Sequence, residues 1–221
     1  MPPRRGRIVV AAGTNGAGKS VIAGEFLAAR AEGAYFNPDL AAKAIAQKDG
    51  LTLAEANARA WTIGFDLLNR SIELNQDFSF ETTLGGNSIT QALMRAAASG
   101  LDVFIFYVGL DSPERHIARV AARVSRGGHP IASEKVRERY PKSLANLIKL
   151  LACASEVRIY DNSHESEDGT PRARLVLSMS ARRIVKPPLE QLVSSTPEWA
   201  RPVVAAAIRI HEQHGPQSKS R

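Results

Sequence analysis

An α/β fold, with a parallel sheet sandwiched by helices in a single domain, is predicted by three features of this 221-residue chain. Short apolar or β-branched runs alternate with amphipathic helical segments from one end to the other. The first run, Arg7-Ile8-Val9-Val10-Ala11-Ala12, has no polar face beyond Arg7, as a strand buried on both sides requires. It stops at a glycine-rich turn that opens directly into a helical pattern.

The elements follow in order. Val21, Ile22, Phe26 and Leu27 recur at helical spacing within Lys19–Arg30, and Gly33 closes that segment. Ala34-Tyr35-Phe36 reads as a second strand ending at Asn37-Pro38-Asp39, with a helix from about Leu40 to Gln47 behind it. Thr52-Leu53-Ala54-Glu55 is a capping box, in which Thr52 and Glu55 each satisfy the other's free amide. It opens a long helix reaching about Asn75, on which Trp61, Phe65, Leu68 and Ile72 share helical spacing, so Trp61 is expected in the core. Phe78 to Thr83 is the next strand, and Ser88 to Ala98 a helix stopped by Gly100. Asp102 to Leu110 is the most apolar strand of all.

Ser112-Pro113 then combines a cap with a first-turn proline. The helix it starts carries Arg115, Arg119, Arg123 and Arg126 and breaks at Gly127-Gly128. Another helix runs from Ser133 through Tyr140 toward Ala154, with Cys153 expected as a buried, inert thiol on its apolar face. Val157 to Asp161 and Ala173 to Met179 are the last strands, and Pro197 to His214 the last helix.

No linker divides the chain, so one domain is expected over residues 7–214, between disordered ends at 1–6 and 215–221. No apolar run reaches the ~18–20 residues needed to cross a bilayer, and the charged head is not a secretory signal. A single cysteine excludes an intrachain disulfide and a thiolate metal site. A cytoplasmic protein is the expectation. The net charge of +7 suits polyanionic nucleotides as well as nucleic acid. No aromatic-interleaved basic groove for single strands is present, which argues against nucleic acid as the partner.

Gly13-Thr14-Asn15-Gly16-Ala17-Gly18-Lys19-Ser20 is a complete Walker A pattern. Glycines let successive backbone amides converge on phosphate oxygens, and the following helix points its positive end at the same anion. All eight residues are therefore expected to bind ATP, with Lys19 bridging the outer phosphates and the Ser20 hydroxyl a ligand for Mg2+.

Ligands of an open parallel sheet sit beyond the C-terminal ends of its strands, where Asp39 and Glu81 are expected. Either could accept or orient a proton of an attacking hydroxyl. Two roles fit Asp39: that one, or, together with Asn37, capping the helix near Leu40. Glu81, if buried, needs a partner such as a substrate hydroxyl, a magnesium-bound water or Thr83. Arg123 and Arg126, beside the Gly127-Gly128 break, read either as part of a small helical lid over the nucleotide or as a solvated stripe; Arg115 and Arg119 read as surface. His129 is a lone histidine of the lid loop.

Taken together, Gly13 to Ser20, Asn37-Pro38-Asp39, Phe80-Glu81-Thr82-Thr83-Leu84, Arg123 to His129 and Arg139-Tyr140 resemble the zeta-toxin family of P-loop kinases, over roughly residues 7–165. The resemblance implies a P-loop NTPase-type fold and ATP- and Mg2+-dependent phosphorylation of UDP-N-acetylglucosamine on a sugar hydroxyl. It implies Asp39 as the base, Glu81 and Thr83 as substrate contacts, and lid arginines (Arg123, Arg126) on the nucleotide. An antitoxin that blocks the nucleotide site is the implied partner. Gly128-His129 stands about where the family places a second lid arginine. A polynucleotide or other metabolite kinase, and a nucleotide-binding module without transfer, are the competing readings.

Overall fold

The computed structural model describes residues 4–20, 22, 35–128, 130–165 and 172–214. Its strands are β1 (Arg7–Ala12), β2 (Tyr35–Phe36), β3 (Phe78–Thr82), β4 (Asp102–Gly109), β5 (Glu156–Asp161), β6 (Arg174–Ser180) and β7 (Arg183–Lys186). The helices that follow the first strands are α1 (Pro38–Asp49), α2 (Leu53–Glu73) and α3 (Asn87–Ala98). Then come α4 (Pro113–Val124), α5 (Ser133–Leu151), α6 (Leu189–Ser195) and α7 (Arg201–Gln213). The helix expected over Lys19–Arg30 is helical at Lys19, Ser20 and Ile22. The rest of it, Gly33, Ala34, His129, residues 1–3 and the tail 215–221 lie outside the described residues. Within the expected disordered head, Arg4 pairs with Asp77 at 2.8 Å and the Gly6 amide donates to Asn75 Oδ1 at 2.9 Å.

The strands form one sheet in the order β2-β3-β1-β4-β5-β6-β7. β1 is central and parallel to both β3 and β4, while β2 and β5 continue the parallel set outward. Ala12 pairs with Thr82 and Phe36 with Phe80, so the C-terminal ends of β1, β2 and β3 meet along one rim. That rim carries the site.

The sheet is not wholly parallel: β6 and β7 run antiparallel at one edge. Ala181 and Arg182, both with positive φ (46° and 65°), form the turn between them. A two-residue turn can join only antiparallel neighbours, because a parallel return needs a crossover of a dozen residues or so. β7 and α6, of 4 and 7 residues, are too short to leave a periodic signal, and the sequence reading passes over both.

Local chemistry accounts for the helix starts. Asn37 Oδ1 accepts from the amides of Asp39 (3.0 Å) and Leu40 (3.1 Å), so α1 begins at Pro38, ahead of the expected Leu40. The capping box is formed, with Thr52 N donating to Glu55 Oε2 at 2.9 Å and Glu55 N to Thr52 Oγ1 at 3.4 Å.

One sheet face packs Ile8, Val10, Phe80, Ile105, Tyr107 and Ile159 against Leu68, Leu93, Leu147, Leu150 and Val203 of the helices. Each such fully buried Leu or Ile contributes about 1.5–3 kcal/mol. The intervening residues Val9, Ala11, Phe106 and Tyr160 form the opposite face, where Ile22 packs against them. Alternation along each strand, apolar to both sides, makes β1 and β4 a two-faced core.

Candidate active site

The turn after β1 is shaped by close approach. Gly13 has φ 140°, and a Cβ there would lie 2.1 Å from Val108 O. Gly18 has φ 90°, and a Cβ would meet Asn162 Nδ2 at 2.6 Å. Only glycine satisfies both demands. Three side chains from distant elements then hold the loop. His116 Nδ1 donates to Asn15 O at 2.9 Å, Asn162 Nδ2 to Ala17 O at 2.9 Å, and Arg139 Nη1 to Asn15 Oδ1 at 2.9 Å. Two of the loop's carbonyls are thereby fixed from outside, which is compatible with amides turned toward a shared anion.

His116 is 1% exposed, and burial pushes its imidazole down to about 4 from the usual 6.5. It is therefore neutral at physiological pH, with the Nδ1 proton on the loop. Because the folded state binds this proton more weakly than the unfolded chain, stability falls as pH drops from 6.5 through about 4. The loss amounts to about 3 kcal/mol once both states are protonated. We expect denaturation midpoints to decline across that window, and the His116→Gln variant to show a shallower slope; equal slopes would remove His116 as the cause.

Lys19 interacts electrostatically with both acids, Glu81 and Asp39, and with Arg123 and Arg139. Burial lowers its pKa, while the Glu81 and Asp39 carboxylates act to raise it. Glu81, 8% exposed, accepts at Oε1 from Ser20 Oγ (2.8 Å) and from Asn37 Nδ2 (3.1 Å). Asn37 thus both caps α1 and anchors Glu81. That leaves Asp39 without a capping duty. Its carboxylate, 46% exposed, faces Arg123 Nη1 at 3.4 Å. Thr83 lines the same cleft and accepts from Gly85 N at 3.3 Å.

The remaining arginines are distributed differently. Gly128 N donates back to Arg123 O at 2.9 Å and closes the end of α4. Arg126 lies past the helix and turns Nε to Ala122 O at 3.1 Å; neither it nor Arg123 lines the cleft directly. Arg115 binds Asp111 at 3.0 Å and Ser163 O at 2.6 Å. Arg119, expected on the surface, is mostly buried beside Glu165, because α4 lies along the segment that follows β5.

A cavity of about 640 Å3 adjoins the phosphate loop. Asn15, Lys19, Asp39, Glu81 and Thr83 line it, together with Trp61 and Phe65 of α2 and Lys135 and Arg139 of α5. Trp61 corrects the expectation of core packing: it is 50% exposed and forms part of the cleft wall. The first half of α2 spends its buried side on Ala56 and Ala60, which pack on Ala42 of α1, and this rotates Trp61 outward. Arg139, His116, Asn162, Trp61 and Lys135 were not among the expected site residues. Asn162 follows the end of a parallel strand, a position that marks ligand sites in such sheets. Arg139 stood only within the family resemblance, and His116 left no signal.

The Ser20 hydroxyl beside the Glu81 carboxylate is a pair of hard oxygen donors, the chemistry that Mg2+ accepts alongside phosphates and water. Among the described residues no cluster of three or more His, Cys, Asp or Glu offers a self-contained metal cage.

A Walker loop closing the central strand, facing paired strand-end carboxylates across one cleft, defines a P-loop kinase architecture. The zeta toxin family model matches residues 2–168, and the chain belongs to that family. An uncharacterized protein of Haemophilus influenzae is 34% identical over 137 residues, covering 58% of this chain and 88% of that protein. Among solved structures, the AvrRxo1-ORF1:AvrRxo1-ORF2 complex with ATP superposes with a TM-score of 0.60 at 15% identity. That match covers 89% of this chain and 65% of the other, so the chain spans just under two thirds of its length. A structure from the PezAT chromosomal toxin-antitoxin system of Streptococcus pneumoniae gives a TM-score of 0.54 at 14% identity, covering 96% of this chain and 88% of that one. At such identities the structural likenesses establish the shared fold.

Proposed function

We propose that the chain transfers the γ-phosphoryl group of ATP to a sugar hydroxyl of UDP-N-acetylglucosamine or a closely related sugar nucleotide. The single observation that carries this is one cleft shared by Lys19, Asp39, Glu81 and Thr83. Its volume, about 640 Å3, suits a small-molecule acceptor. Membership of the zeta-toxin family supports the acceptor class.

In this reading Gly13 to Ser20 cradle the phosphates and Lys19 bridges the outer two. Asp39 accepts the proton of the acceptor hydroxyl, whose oxygen bonds to the γ-phosphorus as the bond to the β–γ bridging oxygen breaks and ADP departs. Arg123 neutralises charge on the moving group, and Thr83 orients the acceptor. Arg126 belongs to the lid and reaches the nucleotide only if the lid closes. Ser20, with the Glu81 carboxylate beside it, would hold Mg2+, which would supply charge neutralisation to the phosphates.

The PezAT structure comes from a toxin-antitoxin system and the AvrRxo1 structure pairs ORF1 with ORF2, which supports an antitoxin protein as the partner in this reading. No described helix is long and apolar enough to cross a membrane. A cytoplasmic location is part of this reading, because ATP and a sugar nucleotide would be its substrates.

Phosphorus NMR of ATP with a panel of acceptors tests the proposal. We expect ADP and a phosphorylated UDP-N-acetylglucosamine to appear together. Slow ATP hydrolysis indifferent to every acceptor would leave only a nucleotide-binding module, and label moving to a 5′-hydroxyl oligonucleotide would make the enzyme a polynucleotide kinase.

A further inference from the structure

The zeta toxin match ends at residue 168, yet a residue beyond it touches both strand ends that shape the phosphate loop. Trp199 lies in a 3-10 turn, Glu198–Ala200, that leads directly into α7. The helix behind it is fixed, because Val203, Val204, Ala206 and Ala207 bury one of its faces. The Trp199 indole is 7% exposed and its Nε1 donates to Asp161 Oδ1 at 3.2 Å. Its ring covers Gly109, where a Cβ would collide with it, and packs on Tyr107 at a centroid separation of 6.3 Å.

These contacts adjoin the groups that fit the loop. Tyr107 and Gly109 flank Val108, whose carbonyl leaves no room for a Cβ on Gly13. Asp161 precedes Asn162, whose amide donates to Gly109 O at 3.0 Å while its side chain reaches Ala17 O at 2.9 Å. Asp161 is 1% exposed, and its Oδ1 also accepts from Ser163 N (3.1 Å) and Ser163 Oγ (2.6 Å). Its Oδ2 faces His164 Nε2 at 3.4 Å and Arg174 Nη2 at 3.8 Å. A buried carboxylate gripped by several donors has one orientation, and the backbone that carries it is fixed with it.

We infer that Trp199 is a positioning residue for nucleotide binding, acting through Asp161 and Asn162 to hold the phosphate loop from a segment outside the family match. The inference rests on the nucleotide-binding part of the function proposed above, but it can fail separately.

The test compares Trp199→Phe, Asn162→Ala and the double variant in the full chain. Phenylalanine keeps a ring over Gly109 and Tyr107 and removes the N–H, and Asp161 retains its other donors, so the fold survives. We expect Trp199→Phe to raise the Kd of a fluorescent ATP analogue about three- to tenfold, the scale of one hydrogen bond. In transfer assays KM for ATP should rise in step, with KM for the acceptor unchanged. Amide exchange over residues 13–20 of the free protein should quicken, while α2 and α3 exchange as in the parent. The double variant should bind the analogue no more weakly than Asn162→Ala, because both changes release one chain of contacts.

Additive losses in the double variant would overturn the inference. So would a Trp199→Phe protein that melts earlier yet keeps the parental Kd and loop exchange, which would reduce the indole to core filling. If the parent binds no nucleotide, the proposed transfer falls, and loop exchange in the variants still decides whether Trp199 holds the loop.

Discussion

Replacing Lys19 with alanine is expected to lower phosphoryl transfer by about two to three orders of magnitude, with the fold intact. In phosphoryl transfer the protein contributes mainly position and charge, and loss of a single preorganised charge donor costs on that scale. Lys19 interacts electrostatically with Glu81 and Asp39, so its removal withdraws the cation that offsets both carboxylates at the polyphosphate and leaves Arg123 paired with Asp39 alone. Stability should respond much less, because burial already disfavours the Lys19 ammonium and offsets part of what the carboxylates contribute. The melting temperature of Lys19→Ala is expected within about 4 °C of the parent, the equivalent of ~1 kcal/mol in a chain of this size. Undiminished transfer in this variant would refute the placement of the γ-phosphoryl group at Lys19.

Asp39→Asn is expected to lower kcat by about 10²–10⁴-fold while ATP affinity stays within a few-fold of the parent, about the range set by loss of a general base. The isostere keeps the volume and removes the proton acceptor. Because Asn37 supplies the cap of α1, the substitution leaves that helix start in place. The ion pair with Arg123 is partly exposed on both sides, and such pairs contribute about 0–1 kcal/mol. Loss of turnover therefore cannot be ascribed to unfolding. Titration with a fluorescent ATP analogue alongside steady-state kinetics separates the two quantities. A parallel loss of nucleotide affinity and turnover would recast Asp39 as a structural anchor for Arg123 rather than a base.

The route from residues to fold was legible where signals are local. The capping box at Thr52 and Glu55, the Ser112 cap with Pro113, and the apolar runs of β1 and β4 each mark an element within a few residues. The antiparallel edge escaped because β7 is four residues long and its orientation follows from the turn at Ala181 and Arg182, whose positive φ values no glycine announces. Trp61 shows the limit of periodicity. Helical spacing groups it with Leu68, yet the packing of Ala56 and Ala60 on α1 sends one to the cleft and the other to the core. Asn37 illustrates the opposite case: both of its roles lie within reach of the sequence, but only the rim of the sheet brings Glu81 to its amide.

What the amino-acid order alone determined is the phosphate loop, since glycine conformational freedom and a helix start are encoded within eight consecutive residues, Gly13 to Ser20. The groups that surround that loop were decided only by the tertiary structure. Glu81 reaches Ser20 across 61 residues of chain, and Arg139 reaches Asn15 across 124. Such contacts depend on strand order and helix rotation, which are set by burial summed over the whole core rather than by any short stretch of residues.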